Sequence, residues 1–142
     1  MKPMTLLVAT LALAAGLAQA AGRTPAPAGA QAYIISPADG AKLHGPVVVR
    51  FGLKGMGVAP AGVLAENTGH HHLFVDTDLP ADLGLPVGMV EGKIIHFGKG
   101  QTETTLTLAP GKHTLQLLFA DGAHVPFDPA VASPKVTITV EP

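Results

Sequence analysis

The sequence predicts an all-β domain, an immunoglobulin-like antiparallel β-sandwich of about seven strands. Three observations carry that expectation. Thr102–Leu108 alternates, with Thr104, Leu106 and Leu108 on one face and Thr105 and Thr107 on the other, and Val136, Ile138 and Val140 alternate with threonines, the two-residue period of a half-buried strand. Clusters of Gly, Pro and Asp cut the chain into short runs. No uninterrupted stretch shows a 3.6-residue apolar period long enough for a helix. Seven short strands in roughly 110 residues match the size of an immunoglobulin-like sandwich, with an up-and-down barrel as the alternative.

The chain opens on a targeting pattern. Lys2 precedes an apolar run, Leu6 to Leu17, which closes on Ala18-Gln19-Ala20, the small-x-small pattern of a cleavage site. The run is about a dozen residues, short of the roughly 20 that span a bilayer. Residues 1–20 therefore read as a signal peptide, and the mature form, with no membrane span, is expected in the periplasm or secreted. Residues 21–31, AGRTPAPAGAQ, offer nothing large to bury and read as an Ala/Pro/Gly-rich linker. The sandwich domain is expected over 32–142.

The first strand is Tyr33-Ile34-Ile35, ended by the turn sequence Ser36-Pro37-Ala38-Asp39-Gly40. The second is Pro46–Leu53, the third His70–Asp76, the fourth Lys93–Phe97 and the fifth Thr102–Leu108. After Ala109-Pro110-Gly111 comes the sixth, His113–Ala120, with Leu115, Leu117 and Phe119 on one face; Val136, Ile138 and Val140 mark the seventh. Two long connections stand out, Lys54–Gly69 and Asp121–Pro134, and such loops are more often functional than idle. Thr77–Gly92 is also long but carries no histidine.

Composition excludes several classes of function. The chain has no cysteine, so there is no disulfide framework, thiolate metal site or cysteine nucleophile. Nine basic residues scattered along a chain of net charge −1 make no surface for nucleic acid. Gly98-Lys99-Gly100-Gln101 is glycine-rich but precedes no helix, so it is no phosphate loop. Ser36 and Ser133 sit beside prolines in turns. Asp76 and Asp78 lack the glycine and further acids of a calcium loop and read as the end of the third strand.

Seven histidines carry the chemistry: His44, His70, His71, His72, His96, His113 and His124. Imidazole is a common ligand for copper and zinc. His70 and His72, two apart on a strand, share one face, whereas His71 points with Leu73 and Val75 to the other. In the expected topology the connections after the second, fourth and sixth strands gather at one end. Met56, His70, His72, His96 and His124 then converge there as candidate metal ligands, with His71 behind them. His44 and His113 fall at the opposite end. Nitrogen donors with a thioether point to copper; zinc, which three histidines alone can hold, is the alternative. Any one histidine taken singly reads as a half-buried strand residue bonded to a loop carbonyl.

The segments GMGVAPAG (55–62), NTGHHHLFVDTD (67–78), HFGKGQTETTLTLAPGKHTLQLLFAD (96–121) and HVPFDPAVASPKVTITV (124–140) resemble the bacterial family called domain of unknown function 4399. That resemblance implies an exported, small all-β domain and no established activity. Separately, ISPADGAKLHGPVVVRFGL (35–53) is similar to the first strands of periplasmic copper-resistance carriers of the CopC kind, although cleavage after Ala20 leaves Ala21 where such carriers begin with histidine. The expected function is that of an exported periplasmic metal-binding protein that buffers or delivers copper, its partners a metal ion and a periplasmic or envelope protein. Two other classes stay open: an envelope binding or scaffolding module without metal, and a metal-dependent enzyme.

Overall fold

The computed structural model describes residues 22–142, so the expected signal peptide at 1–20 lies outside the described residues. The described residues contain no helix and ten strands: β1 (Gln31–Ser36), β2 (Lys42–His44), β3 (Val47–Lys54), β4 (Gly57–Val58), β5 (Thr68–Val75), β6 (Ile94–His96), β7 (Glu103–Leu106), β8 (Gly111–Ala120), β9 (Pro126–Ala132) and β10 (Val136–Glu141). One sheet has the order β1-β3-β7. The other runs β2-β10-β8-β5-β4, with β6 also on β5 and β9 also on β8.

The two sheets face each other across an apolar core, as alternation dictates. Val47, Val49 and Phe51 of β3 meet Leu73 and Val75 of β5, Leu115, Leu117 and Phe119 of β8, and Val136, Ile138 and Val140 of β10. Leu115, Leu117, Phe119 and Ile138 are wholly buried. Burying such a side chain contributes about 1.5–3 kcal/mol, so these central strands dominate the stability of the sandwich.

All seven expected strands are present, and three were not foreseen. β2 and β4 are too short to show a period. β9 carries Pro126 and Pro129, which read as breakers; it lies beside β8 as an outer strand, where a missing N–H is tolerated. The long Asp121–Pro134 connection is thereby corrected to a hairpin followed by a short link. The expectation of purely antiparallel pairing is also corrected, since β2 pairs with β10 and β4 with β5 in parallel. These pairings are only three and two residues long and sit at the sheet margins.

The linker reading of 21–31 changes as well. From Arg23 onward this stretch is docked as a strap along β9. Ala26 N donates to Asp128 O at 2.8 Å and Asp128 N to Thr24 O at 2.9 Å. The Arg23 guanidinium donates to the Pro126 and Phe127 carbonyls. Backbone pairing needs no large side chain, which is why composition missed it.

Gly69 sets the approach of β5 to β8. A Cβ placed there would lie 2.2 Å from Ala120 O and 2.9 Å from a Phe119 ring carbon, both deep in the structure. Only glycine lets the strand that carries the histidines seat against the end of β8. Gly69→Ala is expected to destabilise the fold by about 1–3 kcal/mol, the cost of overpacking. Leu117→Ala, at the fully buried centre, should cost about 2–5 kcal/mol, whereas Leu64→Ala, at a residue 82% exposed, should fall within about 0.5 kcal/mol of the parent. Urea unfolding midpoints of the three variants check the order.

Candidate metal centre

The site is built on the outer face of the larger sheet. The pleat of β5 sends Leu73 and Val75 into the core, and His70, His72 and Phe74 outward. In the β5–β6 register His72 lies directly opposite His96, and Phe74 opposite Ile94. In the β5–β8 register His70 lies opposite Ala120, the last residue of β8. The turn that follows, residues 121–125, brings His124 back over this face. Its ring meets His70, with 3.1 Å between His70 Nε2 and His124 Nδ1, one ring donating to the other.

The outer face is nonetheless covered. His70 and His72 are 0% exposed, and Phe74 1%. The segment 77–92, which connects β5 to β6, folds across Phe74 and Ile94, and its Pro80, Leu85 and Val87 line a small cleft of about 230 Å³ there. Val87 N donates to His124 O at 2.9 Å, tying that covering segment to the histidine turn. On the other side, Gly62 N donates to Gly122 O at 2.8 Å. His124 is thus held between two loops.

The result is a four-imidazole cluster of His70, His72, His96 and His124, with one ligand nitrogen from each lying within 4.8 Å of all the others. Ring centroids are 4.9 Å apart for His70–His72 and for His70–His96, 5.1 Å for His72–His96 and 4.8 Å for His96–His124. Buried ring nitrogens of His70 (Nδ1), His72 (both) and His96 (Nε2) have no hydrogen-bond partner. A tetrahedral ion with bonds of about 2.0–2.1 Å holds its nitrogens about 3.4 Å apart. Donor type, number and spacing therefore fit a transition-metal ion and do not fit calcium or magnesium, which take oxygen.

Burial and mutual proximity favour the neutral form of His70, His72 and His96. Desolvation, then the charges of His124 and His96, lower His70 to about 4. Desolvation, with the neighbouring histidines adding to it, lowers His72 to about 3. Burial and His124 lower His96 as well. Two imidazolium charges about 5 Å apart repel by about 3 kcal/mol at an effective dielectric of about 20, which disfavours a second charge beside the first.

Four of the six residues expected at the site converge. His71 lies on the opposite face, 1% exposed, its ring 5.2 Å from that of Phe51 and 4.9 Å from that of Phe119. It packs in the core, where burial lowers its pKa to about 4. Met56, expected as a thioether donor, is half-buried against the apolar core, so its side chain is accounted for there. At the far end His113 Nδ1 is bonded to Asp76 Oδ2 at 2.7 Å and Nε2 to Ala109 O at 2.8 Å; the Asp76 bond raises its pKa. His44 pairs with Glu141 at 3.1 Å. Sequence reasoning missed the covering segment 77–92, whose Leu, Val and Pro content was the available signal. It also missed Gly98, where a Cβ would lie 2.2 Å from the His96 ring.

Compared with protein-family models, the chain matches Domain of unknown function (DUF4399) over residues 49–141, a span that contains all four clustered histidines. The chain belongs to this family. Comparison with curated proteins and with solved structures gave no match, so nothing supports the likeness to CopC-type carriers.

The lowered histidines fix the sign of a pH effect on stability. Their folded pKa values lie below the unfolded value of about 6.5, so the unfolded chain binds more protons as pH falls through that value. Stability is therefore expected to drop between pH 6.5 and about 4, by on the order of 1–2 kcal/mol per buried imidazole at pH 5. His113, with its raised value, has the opposite sign and favours the fold at low pH. Urea midpoints of metal-free protein from pH 7.5 to 4.5 test this; a midpoint that stays level or rises on acidification contradicts it.

Proposed function

We propose that this member of the family is an exported copper-binding protein that buffers the ion or hands it on, in the periplasm or outside the cell. The observation that carries the reading is the four-imidazole cluster, with its buried ring nitrogens left without partners. A buried nitrogen left unbonded costs about 1–3 kcal/mol, and coordination would relieve that cost at one nitrogen of each ring. All-nitrogen donor sets suit copper and zinc, and Cu(II) binds such sets more tightly than Zn(II). Zinc remains the alternative ion. Export rests on the leader pattern of residues 1–20. Transfer is supported by the gradient of burial across the site, since His70 and His72 are buried while His96 and His124 are only half-buried. An ion can be reached from the second pair and retained by the first. Among the described residues, no helix is long and apolar enough to cross a membrane.

Untagged protein titrated with Cu(II), followed by electron paramagnetic resonance, is expected to take up one ion with nitrogen hyperfine structure. His70→Ala with His72→Ala should lower affinity at least about 100-fold, because strand-held rings lose little freedom on binding. His44→Ala and His113→Ala should leave affinity unchanged. A double variant that titrates like the parent overturns the site. Absence of copper and zinc uptake by the parent returns the domain to the reading of an envelope binding module.

A further inference from the structure

We propose that Asp121 is the charge-bearing positioning residue of this metal site, held in that role by Thr24 of the N-terminal strap; the proposal rests on the reading of the four histidines as ligands. Of the four, His124 alone lies outside the strands, and its backbone sits at φ 67°, the left-handed region that non-glycine residues enter at a cost. What holds it there is Asp121. The Asp121 carbonyl accepts from His124 N at 2.9 Å, and Asp121 N donates to Val125 O at 3.0 Å. Oδ1 of its side chain accepts from Ala123 N at 2.9 Å and from Val125 N at 3.0 Å. Without that oxygen the turn has no internal side-chain acceptor, and His124 keeps only its backbone bonds to Asp121 and Val87 and its own ring contact with His70 to hold it in place.

The other carboxylate oxygen reaches across the chain. Thr24 Oγ1 donates to Asp121 Oδ2 at 2.7 Å. Thr24 is itself fixed, because its carbonyl accepts from Asp128 N and the adjoining Arg23 lies 3.5 Å from the Asp128 carboxylate. A residue far away in sequence thereby aims the carboxylate that aims the histidine. The carboxylate bonds to the backbone N–H of both residues that flank His124, so its charge lies within the turn that carries this ligand. Four neutral imidazoles leave the whole charge of a bound ion uncompensated in a partly buried site, and a neighbouring carboxylate offsets it. Groups outside the ligand shell that orient a ligand commonly contribute 10–100-fold to metal affinity.

The two roles separate by substitution. Asp121→Asn keeps an oxygen to accept the turn's backbone bonds and removes the charge. Thr24→Val removes the tie and leaves every charge in place; Thr24→Ser restores the hydroxyl. Apparent Cu(II) affinity of untagged protein is measured by competition with a chelator, and imidazole resonances of His124 are followed in metal-free protein by NMR. Asp121→Asn is expected to weaken binding at least about 10-fold with the His124 resonances in place. Thr24→Val should weaken it about 10-fold and shift or broaden those resonances, and Thr24→Ser should recover both. A parent that binds copper alongside variants that bind equally well overturns the roles of Asp121 and Thr24 while leaving the site standing. Loss in Thr24→Val that Thr24→Ser fails to recover also overturns the strap's part. A parent that takes up no copper removes the site and this proposal together, and that result is read before any variant is made.

Discussion

Successive side chains leave a strand on opposite faces, and this pleat divides the three consecutive histidines of β5 two to one. His71 is forced among Phe51 and Phe119 in the core, and His70 and His72 are forced outward together. Every other feature of the site follows from that division. A one-residue slip in register would place His70 and His72 in the core and a single imidazole outside. The register is fixed by Gly69, which alone can pass the Ala120 carbonyl, and by the core residues Leu73 and Val75. The hydrophobic pattern that builds the sandwich thus also decides which two rings face outward.

A pair of histidines on the outer face of a sheet would ordinarily be wet. Here the rings of His96 and His124 lie against them, and the segment 77–92, which covers Phe74 beside them, is tied to the 121–125 turn by the Val87–His124 backbone bond. Covering is costly, since it strips water from polar rings and leaves several nitrogens without partners. It also suits His70 and His72 to the role proposed for them. Buried rings stay neutral, neutral rings are ready to coordinate, and water competes poorly for an ion held among them. Stability and binding pull against each other at these positions, which is common where a fold carries a site.

Much of this was legible in the chain. The threonine-apolar alternation of β7 and β10 and the even spacing of Leu115, Leu117 and Phe119 marked strands and their inward faces. The His70/His72 pairing was a direct consequence of strand period. His96 and His124 were placed with them by topology; the β5–β6 register, with His72 opposite His96, supplies the reason for the first, and the turn after β8 for the second. Other parts were not legible. Thr24 and Asp121 meet across 97 residues of sequence, a pairing that no local pattern encodes. The strap of small residues and prolines docks by its backbone, invisible to side-chain composition. Met56 looked like a donor because sulfur chemistry is read from residue type, whereas its packing against the core depends on where the chain turns.

The central claim is that four imidazoles share one ion, and X-ray absorption at the copper edge of untagged, copper-loaded protein tests it most directly. The account predicts a first shell of nitrogen at about 2.0 Å, the distance typical of imidazole bound to zinc, with the outer-shell scattering pattern of several imidazole rings and no sulfur. A shell of oxygen alone, or a single imidazole, would contradict it.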